Sequence, residues 1–203
     1  MLGPSQRFNY WKILLNQSIT NSRRWRFTYA HELGHFLCHR KLKDSFEDTQ
    51  RTLGDFRDEI ETEANTFASW LLMPANLLRS EFLSLPWHTE TLRKMGTRFE
   101  ASLQASGIRY VSLSTIPIAF IVSRDGNICW GCKSENAPFV KNMAFGSELP
   151  NDSLAIQGKC KLTSSMDPVK CGFAWSTSQQ AVESNYFDES GLGYQYTCIQ
   201  FTG

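Results

Sequence analysis

The segment RFTYAHELGHFLCHR, residues 26–40, spaces three histidines four residues apart, with one glutamate after the first of them. Side chains four residues apart on a helix lie one above the other, about 6 Å apart. His31 and His35 can therefore bind the same tetrahedral Zn²⁺. Glu32 points to the neighbouring side, where it can accept a proton from an attacking water. This HExxH arrangement predicts two metal ligands and a general base on one rigid turn. Histidines with a purely structural role are the alternative.

His39 is a poor candidate for the third ligand. It follows His31 by eight residues, which is about 12 Å on a helix that rises about 1.5 Å per residue. One zinc ion cannot bind both. The helix-ending glycine that precedes the third histidine of metzincins is also absent from residues 37–41. The third ligand must come from another element, and the same ligand types would also suit Mn²⁺ or Fe²⁺.

The segment DFRDEIETEANTFASWLLMP, residues 55–74, predicts a second helix that can supply this ligand. Its apolar stripe comprises Ile60, Ala64, Phe67, Ala68 and Leu71. At about 100° per residue, Glu63 falls inside that stripe. Burying a carboxylate is costly unless it is paired or bound to metal. Glu63 is therefore the predicted third ligand, with Glu59 in reserve, and an acid paired with an arginine is the alternative.

Together the two segments resemble the ImmA/IrrE family of zinc metallopeptidases. Its members pair an RFT-x-AHELGH helix with a downstream E-A-N-x-F-A-x-x-LLMP helix. The similarity extends upstream to ILLN and downstream to LRKMGTRFEASLQASGIRYVSL, and so covers about residues 11–114. By that resemblance His31, His35 and Glu63 would bind Zn²⁺ and Glu32 would be the catalytic base. The resemblance also implies an intracellular endopeptidase that cleaves helix-turn-helix transcriptional repressors, which relieves repression of a mobile element or of a stress response.

The sequence as a whole predicts an α+β protein. A helical, zincin-like metallopeptidase core is expected over residues 1–114, short at its N-terminus compared with the family, and a smaller β-rich domain over residues 115–203. The second domain is a candidate regulatory or substrate-recognition module. Its clearest signal is IAFIVSRDGNICW, where an apolar run turns at Asp125-Gly126 and predicts a hairpin.

Local signals predict the other elements. WKILL, residues 11–15, favours a strand, and residues 16–24 favour a loop. Asp55 is a favourable N-cap for the second helix, and Pro74 ends it. Further helices are expected at about residues 75–83 and 89–114, the latter broken near Ala101-Ser102.

Bulk composition argues against a membrane or nucleic-acid protein. The net charge is +1, from 21 basic and 20 acidic residues, and 41% of residues are hydrophobic, as in globular proteins. No apolar run approaches the roughly 18 to 20 residues that span a bilayer, and the N-terminus does not read as a secretory signal. The six scattered cysteines are then expected to be reduced thiols, which predicts a cytoplasmic protein.

Three other functions stay open at this stage. Cys129 and Cys132 form a single CxxC, which could hold a structural zinc or a redox pair, although unpaired thiols are the simpler interpretation. Residues 89–110 could form a helix-turn-helix that binds DNA, but they are only modestly basic. A zinc-binding module that binds a repressor without cleaving it is the third.

Overall fold

The computed structural model describes residues 2–5, 8–40, 59–161, 165–188 and 192–202. Contacts divide the chain into two compact units, residues 1–76 with 99–102, and residues 77–98 with 103–203. The elements in chain order are β1 (Leu2–Ser5), β2 (Phe8–Ile13), α1 (Ser22–Gly34), a π-helical turn (His35–His39), α2 (Glu59–Leu72), α3 (Ala75–Glu81), α4 (Thr89–Arg98), α5 (Leu103–Leu113), β3 (Ile118–Arg124), β4 (Asn127–Lys133), α6 (Leu154–Lys161), β5 (Ser165–Gly172), β6 (Gln180–Phe187) and β7 (Tyr194–Thr202).

The first unit contains an antiparallel β1–β2 ladder and the helices α1 and α2. The strand predicted over WKILL is confirmed in part, since β2 reaches Ile13. Helix α1 begins earlier than expected because Asn21 caps it, and its side-chain oxygen accepts from the Arg24 N–H at 3.1 Å. The predicted N-cap Asp55 lies outside the described residues.

A close approach of α1 and α2 is the main packing feature of this unit. A Cβ at Gly34 would lie 3.1 Å from the carbonyl oxygen of Ala64 and 3.2 Å from its Cα. Gly34 therefore lets the two helices meet at backbone distance. The buried face of α2 is built from small or polar residues, namely Glu61, Ala64, Asn65 and Ala68.

The second unit is built around a five-stranded antiparallel sheet with the order β4-β3-β7-β6-β5. The β3–β4 hairpin turns at Asp125 and Gly126, both with positive φ, as a tight hairpin turn requires. Phe120 lies under α5, where Gly107 leaves room for its ring. The opposite face packs against α6 and includes the buried residues Ile121, Ile199, Trp175 and Ala155.

The α+β prediction is confirmed, because helices in the N-terminal part precede an antiparallel sheet in the C-terminal part. The break near residues 101–102 is confirmed as well, since α4 ends at Arg98 and α5 begins at Leu103. Helix α6 was not predicted, because its pattern is weak. It begins where the Ser153 hydroxyl accepts from the Ile156 N–H at 3.3 Å.

The domain boundary between residues 114 and 115 stays a prediction. It follows a change in composition, whereas the compact units are defined by contacts. Among the described residues, no helix combines the length and apolar character needed to cross a membrane.

Candidate metal centre

Three buried donor atoms converge in the first unit. The Nε2 atoms of His31 and His35 lie 2.9 Å apart. A carboxylate oxygen of Glu61 lies 3.1 Å from the first and 3.4 Å from the second. Zinc with bonds of about 2.0 to 2.1 Å separates its tetrahedral ligand atoms by about 3.3 Å. The spacing of the three donors therefore fits one such ion.

The hydrogen bond behind His31 explains why a cation belongs between these donors. Its Nδ1 lies 3.1 Å from the side-chain oxygen of Asn65, and an amide oxygen only accepts, so Nδ1 carries the proton. With the ring neutral, the lone pair at Nε2 is directed towards the carboxylate of Glu61. Lone pairs that face each other in a buried place repel, and a bound cation turns that repulsion into coordination.

Glu63, the predicted third ligand, is not brought to His31 and His35. Its carboxylate oxygen lies 2.8 Å from Nε2 of His39, and its side chain is 59% exposed, against 12% for Glu61. Residues two positions apart on a helix point in directions that differ by about 200°, so Glu61 and Glu63 cannot face the same point. Glu61 takes the place that the sequence analysis gave to Glu63. The reserve candidate, Glu59, is exposed at the start of α2.

The prediction of Glu63 followed from the face of α2 that the apolar stripe indicates as buried. Ala64 and Ala68 of the predicted apolar stripe are buried, whereas Leu71 is 50% exposed. The buried face is therefore rotated from the stripe towards Glu61 and Asn65. The buried side is chosen by close approach, because only small residues such as Ala64 fit against Gly34. The signal that could have identified Glu61 is its spacing. Glu61 precedes Asn65 by four residues, so both share one face of α2 with the small residue Ala64.

Glu32 lies one residue after His31 on α1 and is 1% exposed. A carboxylate at this position is buried beside the candidate ligands rather than directed to solvent. His39 lies outside the three-residue cluster, which agrees with the expectation that it is not the third ligand. Its ring instead lies beyond His35, with the two Nδ1 atoms 3.3 Å apart.

The CxxC pair shows no such convergence. Cys129 and Cys132 lie on β4, and burial raises the pKa of the Cys132 thiol to about 12. Zinc and thiol redox chemistry both use the thiolate, which is disfavoured at that pKa. Within the described ranges, His31, His35 and Glu61 form the only group of three metal-binding side chains close enough to share an ion.

Comparison with known protein families identifies a match. The model of a peptidase family, described as the IrrE N-terminal-like domain, matches residues 2–110, which is more than half of the chain. That range includes α1, α2 and all three candidate ligands. No curated protein matches the chain.

Proposed function

Because the chain belongs to the ImmA/IrrE family of metallopeptidases, we propose that it is a cytoplasmic, zinc-dependent endopeptidase that cleaves a helix-turn-helix transcriptional repressor. Such cleavage would relieve repression of a mobile element or of a stress response. The observation that carries the proposal is the convergence of two histidine nitrogens and one carboxylate oxygen beside a buried HExxH glutamate.

The donor set fits a catalytic rather than a closed structural zinc site. His31, His35 and Glu61 would supply three protein ligands, and catalytic zinc sites keep the fourth position for water or substrate. When bound, zinc would act as a Lewis acid that polarises the peptide carbonyl and makes water a better nucleophile at neutral pH.

Glu32 is the general base in this proposal. It follows His31 on the same helical turn, and its burial keeps the group out of bulk water. It would accept a proton from the attacking water and then deliver that proton to the departing amine. Both transfers need one carboxylate held rigidly, which the HExxH turn provides.

The test uses the purified, zinc-loaded full chain and the repressor encoded beside its gene. Wild-type protein should cleave that repressor at a defined bond. Glu32→Gln should keep one zinc per chain but lower the rate constant by about 10²- to 10⁴-fold, the usual contribution of a general base. Glu59→Gln, at an exposed glutamate of α2, is the matched control and should cleave at the wild-type rate.

Cleavage that is equally fast with Glu32→Gln contradicts the assigned role of this residue. A zinc-loaded wild-type protein that binds the repressor and leaves it intact would identify a non-catalytic binding module instead. A DNA complex that weakens with salt and survives Glu32→Gln would favour a DNA-binding regulator.

A further inference from the structure

We propose that His39 and Glu63 form a positioning pair that orients the metal ligand His35. This inference rests on the proposed zinc site but not on the identity of the substrate. The Nδ1 atoms of His35 and His39 lie 3.3 Å apart, and Nε2 of His39 lies 2.8 Å from a carboxylate oxygen of Glu63. The three side chains thus form a hydrogen-bonded row that leads away from the metal-binding nitrogen.

With both imidazole rings neutral and the carboxylate ionised, these hydrogen bonds have one consistent set of directions. An ionised carboxylate accepts, so Nε2 of His39 donates to Glu63. The other nitrogen of a neutral His39 ring is then an acceptor, and it receives the Nδ1 proton of His35. This leaves the lone pair of His35 at Nε2, where it faces His31 and Glu61. Glu63 thereby selects, through His39, the tautomer of His35 that can bind a metal.

The π-helical turn brings His39 into this position. A π turn bonds residue i to i+5 and commonly marks a functional site, because it changes the direction of the side chains that follow it. Here the turn covers His35–His39 and buries the His39 ring to 2% exposure. A buried imidazole needs hydrogen-bond partners, and His35 and Glu63 provide them.

The row also joins the same two helices as the contact behind the other histidine ligand. Asn65 of α2 accepts from His31, and Glu63 of α2 accepts from His39, so each histidine ligand is anchored on α2, the second one through His39. The two anchors differ in charge. His31 is held by a neutral amide, whereas His35 is held by an imidazole backed by a carboxylate, which makes His35 the more strongly donating ligand.

A surface ion pair by itself contributes little to stability, and the Glu63 side chain is largely exposed. If the His39–Glu63 contact were only such a pair, its removal would leave metal binding unchanged. If it orients His35, removal weakens zinc binding by about 10- to 100-fold, the usual cost of losing a partner behind a metal ligand. The two roles therefore predict different affinities.

The test measures the zinc dissociation constant by competition with a chromophoric chelator, and the visible absorption of the Co²⁺-loaded protein. Glu63→Ala should weaken zinc binding by at least about 10-fold and change the Co²⁺ ligand-field bands. Glu63→Gln should restore most of the affinity, because its amide oxygen still accepts from His39. Glu59→Ala removes an exposed glutamate from the same helix and should match wild type.

A pair of variants at His39 guards against a folding artefact of the Glu63 substitution. His39→Gln retains a side chain that can accept from His35, whereas His39→Phe fills the space without an acceptor, so the second should bind zinc more weakly than the first. Equal dissociation constants and Co²⁺ spectra for Glu63→Ala and Glu59→Ala would overturn the inference. Because neither readout uses cleavage, this result is distinct from a failure of the proposed peptidase activity, which Glu32→Gln tests.

Discussion

Each of the two units buries a glutamate, and the surroundings of the two carboxylates are opposite. Glu61 in the first unit faces two histidine nitrogens at 3.1 and 3.4 Å. Glu183 in the second unit is fully buried on β6, where it accepts from the Trp175 indole N–H and, at 3.1 Å, from the backbone N–H of Ala155. One carboxylate meets imidazole nitrogens, which can bind a metal ion, and the other meets N–H donors.

This difference separates a candidate metal site from a structural acid. Burial raises the pKa of Glu183 to about 7, although the hydrogen bonds from Trp175 and Ala155 act against the shift. Protonation is enough to neutralise the Glu183 carboxylate. The hydrogen bond that it accepts from Ala155 connects β6 to α6. Glu61 faces two imidazole nitrogens instead, a set of donors that could hold a metal ion. Burial of an acid does not identify a site, whereas the polarity of its neighbours does.

Metal removal is expected to have the largest effect, and it should distinguish the role of Glu61 in the first unit from that of Glu183 in the second. Dialysis against a strong chelator should abolish repressor cleavage, and one equivalent of Zn²⁺ should restore it, because the ligand cluster supplies no other electrophile. Glu183→Gln should keep both zinc and cleavage. Full turnover by protein whose metal content has fallen to background would remove the distinction between the two glutamates.

The pH dependence of folding should come from Glu183. Its pKa is about 7 in the folded chain against 4.5 as the ordinary value, so the folded state holds a proton that the unfolded state releases. The stabilisation is complete below pH 4.5 and is lost as the pH rises through about 7. This loss is up to ~3 kcal/mol. Urea unfolding of wild type and Glu183→Gln between these limits measures it. An equal change of unfolding free energy with pH for the two proteins would contradict the assignment to Glu183.

Gly34 tests the close approach of α1 and α2. Gly34→Val places a branched side chain where a Cβ already lies 3.1 Å from the backbone oxygen of Ala64. Forcing the helices apart should cost about 1 to 3 kcal/mol of unfolding free energy and weaken zinc binding, because Glu61 moves away from the histidines. Gly34→Ala should fall between wild type and valine. An unchanged zinc dissociation constant with Gly34→Val would show that this packing does not position the ligands.

The cysteine pair should give the smallest effect. Cys129→Ser and Cys132→Ser should leave the zinc content of the full chain unchanged, because the thiols are protonated and outside the ligand cluster. The measurement is metal analysis after gel filtration. A loss of zinc with either variant would support the structural-zinc interpretation of the CxxC.

Local signals made much of the fold predictable. The α2 run ends shortly before Pro74, the α4–α5 break includes residues 101–102, and the β3–β4 hairpin turns at Asp125-Gly126. Each depends on backbone preferences that a short segment states by itself. The HExxH spacing is equally local, because two histidines one turn apart share a face of any helix.

The third ligand could not be read in the same way. Whether Glu61 or Glu63 faces α1 depends on which side of α2 is buried, and that side is set by the contact between Gly34 and Ala64. The buried acid Glu183 was missed for a related reason. Its donors, Trp175 and Ala155, come from other segments, so β6 alone gives no sign that a carboxylate can be satisfied there.

Zinc stoichiometry in two isosteric variants tests the central claim most directly. Wild type, Glu61→Gln and Glu63→Gln would be loaded with zinc, passed through gel filtration and analysed for metal. The site built from His31, His35 and Glu61 predicts one zinc per chain for wild type and Glu63→Gln, and a large loss for Glu61→Gln. Full zinc in Glu61→Gln together with its loss from Glu63→Gln would contradict this assignment and restore Glu63 as the ligand.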